Sequence, residues 1–303
     1  MKHTPLFALV TLALAPAAYA QSLTLNSGDV VTVSRAGTVG IIGGKPVANT
    51  TSSYDNGQDF YAVQTTGTAA FTLATGGVVT GTYNNTGLYA TGSGPLTISG
   101  GTVTVSDNSV GVDTFGSGPV ILTGGSISTG NSSTGLYAQG RTVTVTGGTI
   151  TAGDDARDLS VYYSAPLTIS GGTFTVGDRG IGLTADSSSP VTITGGTFTV
   201  GAQGYGLSAF SSTIDLYGAF DGLTLGQTLT LPSDFTNGVT GSFFGTLENN
   251  TIGQTFTYLN KGTITLHDVG LAAAPEPSQF AAFGVGLLGL GALALRARKR
   301  QAA

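Results

Sequence analysis

Pro190-Val191-Thr192-Ile193-Thr194-Gly195-Gly196-Thr197-Phe198-Thr199-Val200 holds two short runs of period two joined by a pair of glycines. Val191 and Ile193 face one way and Thr192 and Thr194 the other. Past the glycines Phe198 and Val200 point inward again, and Thr197 and Thr199 point out. Helix is disfavoured, because β-branched residues dominate and Gly or Pro recurs too often for a helix to grow. The stretch reads as two strands meeting at a glycine corner.

The same phrase is written six times between Gly76 and Ala209. Its Gly-Gly pairs begin at Gly76, Gly100, Gly124, Gly147, Gly171 and Gly195, at spacings of 24, 24, 23, 24 and 24 residues. A second marker keeps step 11 residues after each pair's first glycine: Gly87, Gly111, Gly135, Asp158, Gly182 and Gly206. One such rung cannot bury its apolar face alone, so equivalent positions must stack at about 4.8 Å per coil. Four inward columns follow. They are Leu96/Val120/Val143/Leu167/Val191, Ile98/Leu122/Val145/Ile169/Ile193, Val103/Ile127/Ile150/Phe174/Phe198 and Leu88/Val112/Leu136/Leu159/Leu183/Leu207. The expected fold is all-β: a parallel β-helix (β-solenoid) of about seven coils with three walls per coil. N- and C-terminal caps and one C-terminal membrane helix complete it. The double glycine allows a corner that a Cβ would strain.

The chain divides into a signal peptide (1–20), an N-terminal cap and loop (21–58), the repeat domain (59–210), a β-rich C-terminal cap (211–270) and a tail (271–303). Lys2 and His3 precede an apolar run, and Ala18-Tyr19-Ala20 before Gln21 is a small-x-small cleavage site for signal peptidase. Leu23, Leu25, Val31 and Val33 alternate, which predicts an initial strand pair; Gly43 to Gly57 reads as a loop. Asp59-Phe60-Tyr61-Ala62 matches the Gly87-Leu88-Tyr89-Ala90 phrase and reads as a degenerate first rung. Beyond Ala209 the period is lost. Strand-like runs continue at Thr213 to Leu216, Leu223 to Leu231, Thr255 to Leu259 and Thr263 to Leu266.

The tail joins Pro275-Glu276-Pro277, an uncharged apolar run over 280–295 and the basic cluster Arg296, Arg298, Lys299 and Arg300. Sixteen residues at about 1.5 Å each reach only about 24 Å, short of a normal bilayer core. The basic end should stay cytoplasmic, leaving the chain from Gln21 onward across the membrane. This ending resembles the PEP-CTERM sorting signal of Gram-negative bacteria. The resemblance implies an exosortase-type membrane protease as partner, transient inner-membrane anchoring, tail removal, and delivery to the cell surface or an exopolysaccharide matrix. The rungs, through Gly-Gly-Thr-x-Thr and Gly-Leu-Tyr-Ala, resemble the β-helical stems of autotransporter passengers and secreted adhesins.

Outside the leader and tail, 15 acidic residues face six basic ones, a net charge of −9. Bulk attraction for acidic polymers and nucleic acid is disfavoured. The chain has no cysteine, and outside the leader its one histidine is His267, so His-based catalysis, zinc and disulfides find no support. Carboxylates concentrate at Asp154-Asp155-Ala156-Arg157-Asp158, with Asp178-Arg179 one rung on. Asp107, Asn131, Asp154 and Asp178 hold one repeat position. Two readings stand: a cation or polysaccharide lyase/hydrolase centre, since stacked carboxylates repel unless relieved, or an Asp/Asn turn ladder. On the outward face Thr102/Thr104, Ser126/Ser128, Thr149/Thr151, Thr173/Thr175 and Thr197/Thr199 form two hydroxyl columns. They resemble the ice-binding face of antifreeze solenoids, and they also suit any exposed strand. Outward Tyr89 and Tyr137 are candidate sugar-stacking positions. The sequence therefore predicts a non-enzymatic exported structural or adhesive solenoid without cofactor or metal, an exopolysaccharide or other surface polymer being a candidate partner. An ice or carbohydrate binder and a degenerate polysaccharide-active enzyme are the alternatives.

Overall fold

The computed structural model describes residues 23–34, 37–42, 45–49, 60–65, 68, 70–82 and 84–270. Among them every regular element is a strand, and no helix is long and apolar enough to cross a membrane. The 1–20 leader, the tail from 271 and its membrane helix over 280–295 lie outside the described residues.

Three parallel ladders form the walls. Wall A stacks Leu96–Ile98 on Val120–Leu122, with Leu96 against Val120 and Ile98 against Leu122; Val143–Val145 and the start of Leu167–Val176 continue it. Wall B pairs Val103 with Ile127, Ile127 with Ile150, Ile150 with Phe174 and Phe174 with Phe198. Wall C pairs Leu88 with Val112, Val112 with Leu136, Leu136 with Leu159, Leu159 with Leu183 and Leu183 with Leu207. Every residue of the four predicted columns is buried in one continuous core. Each large side chain so buried contributes about 1.5–3 kcal/mol. Six regular coils run from Phe71–Leu73 to the start of Tyr205–Phe220, below which an interrupted first coil adds one more rung.

The A–B corner needs glycine for two reasons. Gly125 has φ 79°, and a Cβ there would stand 2.5 Å from the Gly100 carbonyl oxygen of the coil below. Coils stacked this closely exclude a side chain from the bend. The 23-residue rung is closed differently. Arg141, 1% exposed, donates from Nη2 to the carbonyl oxygens of Gly92 (3.0 Å) and Gly94 (2.8 Å), two coils away. Gly118 makes way for it, since a Cβ there would meet Arg141 Nη2 at 2.6 Å.

The N-terminal strands depart from expectation. Leu23–Leu25 and Val30–Ser34 do not pair with each other; they pair parallel with Phe71–Leu73 and Val78–Gly81, and so supply walls A and B of the first coil. Part of the loop expected over Gly43 to Gly57 is a strand. Gly37–Ile42 and Lys45–Asn49 form a hairpin laid antiparallel on Val30–Ser34, where it covers the free edge. Phe60–Thr65 does supply the first rung of wall C. Its register sets Val63 opposite Leu88, three residues away from the match suggested by the Phe60-Tyr61-Ala62 phrase. An inward apolar residue, not the local phrase, decides register.

At the other end Tyr205–Phe220 leaves wall C, turns and extends wall A, and Gln254–Asp268 stacks on it in parallel along both walls. Val239–Leu247 pairs antiparallel with both strands. Of the expected run Leu223 to Leu231, only Thr228–Thr230 is strand. Rings close the open core: Phe174 stacks on Phe198 at 4.7 Å, Phe198 meets Phe256 at 6.0 Å, and Phe256 stacks on Phe243 at 5.0 Å. Side chains stand in for the missing rung above wall B. Gln254 Oε1 accepts from the Phe198 N–H (2.8 Å) while its Nε2 donates to the Gly196 carbonyl (2.8 Å), and Asn250 brackets Gly196 from both sides. Part of the edge that another chain could pair with is thereby occupied.

This geometry predicts opposite outcomes for adjacent residues. Ile169→Asp, which buries a carboxylate in the wall A column, should cost several kcal/mol, whereas Thr168→Asp, on the exposed side, should change stability by less than about 0.5 kcal/mol. Thermal melts of the two variants decide it, and equal melting points would refute the inward and outward assignment.

Candidate functional site

The carboxylates are the centre of chemistry that the sequence offers. Asp107 Oδ1 accepts from the Asn131 N–H (2.7 Å), Asn131 Oδ1 from the Asp154 N–H (2.9 Å), Asp154 Oδ1 from the Asp178 N–H (2.9 Å) and Asp178 Oδ1 from the Ala202 N–H (2.8 Å). Each side chain reaches up one coil and secures the next turn. The glycine before each donating residue is part of the device: a Cβ at Gly177 would stand 2.3 Å from Asp154 Oδ1, and one at Gly153 2.3 Å from Asn131 Oδ1. This geometry supports the turn-ladder reading over a cation or catalytic centre. The neighbouring charges pair separately. Arg179 grips Asp155 through Nε (2.8 Å) and Nη2 (2.5 Å), and this bidentate bond holds the Asp155 carboxyl below its ordinary range. Among the described residues no group of three or more His, Asp or Glu is placed to hold a metal ion.

Asp158, the non-glycine in the second marker column, is the exception in the cluster. Its side chain is fully buried, and the Ala152 backbone offers its carboxyl only a weak, poorly aligned hydrogen bond. At Gly135, the equivalent position one coil below, a Cβ would clash at 2.4 Å with Ile150 Cγ2. Burial pushes its pKa up to about 8, against a smaller opposing pull from the Ala152 backbone. The broken glycine column marks the position in the sequence; its burial becomes evident only with the register.

The hydroxyl wall forms in register. Thr102, Ser126, Thr149, Thr173 and Thr197 make one column and Thr104, Ser128, Thr151, Thr175 and Thr199 the other. All ten side chains are exposed or half-buried. On wall C, Tyr137 packs on Tyr162 at 5.0 Å, and Tyr162 lies 6.4 Å from Tyr163, which is 63% exposed. Burial, with Tyr162 and Asp113 nearby, pushes the Tyr137 hydroxyl up to about 12. Tyr162 and Tyr163 fall outside the Gly-Leu-Tyr-Ala phrase, which is why sequence reasoning missed them. His267 binds Asp215 at 2.9 Å and stacks on Tyr217 at 4.5 Å, in the cap. The leader residues Ala18, Ala20 and Gln21 and the tail residues Pro275, Glu276, Pro277, Arg296, Arg298, Lys299 and Arg300 lie outside the described residues.

Comparison with known proteins agrees with the architecture. The family model described as the right-handed beta helix region matches residues 61–219, more than half of the 303-residue chain, and the chain belongs to that family. No curated protein and no solved structure matches it. The family fold occurs in pectate-lyase-like enzymes and in non-enzymes alike.

The Asp158 geometry sets a pH dependence. An unfolded chain releases this proton near 3.8 and the folded one near about 8, so between those values the folded state binds more protons and stability falls as pH rises. Asp158→Asn should flatten that fall. Denaturant titrations should find the variant more stable than the parent by several kcal/mol at about pH 8, at about 1.4 kcal/mol per pH unit separating the two pKa values, and near parity at about pH 4. Parallel stability profiles for the two proteins would contradict the assignment.

Proposed function

We propose that this β-helix is a non-enzymatic structural or adhesive rod, exported to the cell surface or extracellular matrix of a Gram-negative bacterium. The observation that carries the reading is the order of Pro275-Glu276-Pro277, a short apolar run and a basic end directly after the solenoid. Signal peptidase would cut after Ala20, and an exosortase-type protease would act at the Pro-Glu-Pro segment. Stiffness suits the role: stacked coils, backbone ladders and a closed aromatic end give a rod with few loose edges. The use of Asp107, Asp154 and Asp178 as backbone acceptors supports a structural role for the acidic column.

A second reading, ice or carbohydrate binding on wall B, is favoured by the strict register of the two hydroxyl columns. Lysine at both Thr149 and Thr173 should abolish ice shaping with little change in stability, and an unmodified protein that shapes no ice removes the ice reading.

In its host the mature protein should begin at Gln21 and end near Pro277. Alanines at Pro275, Glu276 and Pro277 should trap a heavier membrane-bound form. Intact-mass analysis checks this, and Arg300 still attached to the surface protein would overturn the sorting account.

A further inference from the structure

Where the last coils meet the cap, a cleft of about 430 Å³ opens, lined in part by Ser188, Ser211, Thr213, Ser233, Phe235 and Lys261. Its volume falls within the about 300–1,000 Å³ of small-molecule sites. One edge is the turn from wall C to wall A, and a single column there changes character along the solenoid. Gly92, Gly116 and Gly140 occupy it in the early coils, and Tyr163, Ser187 and Ser211 in the late ones; all six have positive φ, from 119° at Gly116 to 46° at Ser211. Ser188, next in the turn, has φ 61°. Glycine adopts this backbone freely, and serine and tyrosine do not. Side chains are kept at this edge against the conformational preference of the turn, as they also are in every B–C turn from Asn84 to Gln203; what is peculiar to this column is the change from glycine to side chains that border the cleft.

The opposite edge is preformed. The Asp234 carboxylate accepts from the N–H groups of Thr236 (2.8 Å) and Asn237 (3.2 Å), and fully buried Asn260 donates to the Pro232 carbonyl at 3.0 Å. Lys261 Nζ donates to the Thr236 carbonyl (3.0 Å) and lies 5.3 Å from the centre of the Phe210 ring. An ammonium has three hydrogens, so donors remain. Phe235 is 72% exposed, an apolar ring beside this set of hydroxyls.

We propose that the cleft binds a glycosyl unit of a polysaccharide. A pyranose presents hydroxyls around its rim and C–H groups on its faces, which matches serine and threonine hydroxyls, an ammonium donor and an open aromatic ring. The lining contains no carboxylate, which disfavours a cation as the ligand. The outward row Tyr162, Asp186, Phe210 and Lys261, spaced at about 4.8 Å per strand, leads from the tyrosine cluster to the cleft and gives the rest of the polymer a track of about 14 Å. The proposal deepens the surface-polymer reading and rests on it only for where the polymer is met.

Calorimetric titration of the full chain with neutral oligosaccharides (cello- and laminari-oligomers) and acidic ones (oligogalacturonate, oligoalginate) tests it. At least one arm should bind, and Phe235→Ala should weaken that binding by at least about tenfold. Ser211→Gly, which relieves the turn and so keeps the fold, should weaken it as well. Loss of only the acidic arm in Lys261→Met would identify a uronate, and binding of a neutral oligomer would identify an uncharged hexose; either supports the site. No binding in any arm, or binding indifferent to both Phe235→Ala and Ser211→Gly, overturns it. Failure of the export account would appear in the mass of the host-derived protein and would leave these titrations unchanged.

Discussion

The structure depends on in-register parallel stacking of one coil on the next. Each wall residue gives its hydrogen bonds to the neighbouring coils, so every coil depends on another above and below it. The constraint explains the composition. Corners are glycine because the carbonyl of the coil beneath lies where a Cβ would be, as at Gly125. Turns carry Asp or Asn after glycine because a short acceptor there meets the N–H one coil up, as Asp154 does for Asp178. The narrow interior takes Val, Ile, Leu and Phe in unbroken columns.

The ends show the same constraint, since there a neighbour is missing. A hairpin laid antiparallel covers one edge, and at the other Asn250 and Gln254 supply with side chains what a backbone rung would supply. The departures from regularity lie inside. Arg141 reaches across two coils in the one shortened rung, and Asp158 replaces a glycine with a buried carboxyl. Both break local rules, and such violations in an otherwise consistent chain point to special positions. The replacement of Gly92, Gly116 and Gly140 by Tyr163, Ser187 and Ser211 along one turn column is a third, and it borders the cleft.

The central coils were legible because a 24-residue period compares each position with its own copies, so a column such as Ile98/Leu122/Val145/Ile169/Ile193 identifies itself. Legibility ended with the repeat. Lys45–Asn49 looked like a loop because Gly, Asn and Thr surround it, and the Phe60-Tyr61-Ala62 phrase suggested a register that the inward position of Val63 overrides. The acidic column was visible, but the N–H that each side chain accepts from became evident only with the stacking of the turns. The cleft had no signature, because Ser211, Ser233 and Lys261 come together only where the cap folds back on the last coil.

Cysteine-free sequence makes a direct test of the stacking simple. Nitroxide labels on Thr151→Cys paired with Thr175→Cys, register partners on the open wall, should sit about 4.8 Å apart at the backbone, and those on Thr151→Cys paired with Thr199→Cys about twice as far. The account predicts strong spin exchange and broadening in the first pair and clearly weaker coupling in the second. Equal coupling in the two pairs, or stronger coupling in the second, would contradict a solenoid of 24-residue coils stacked in register.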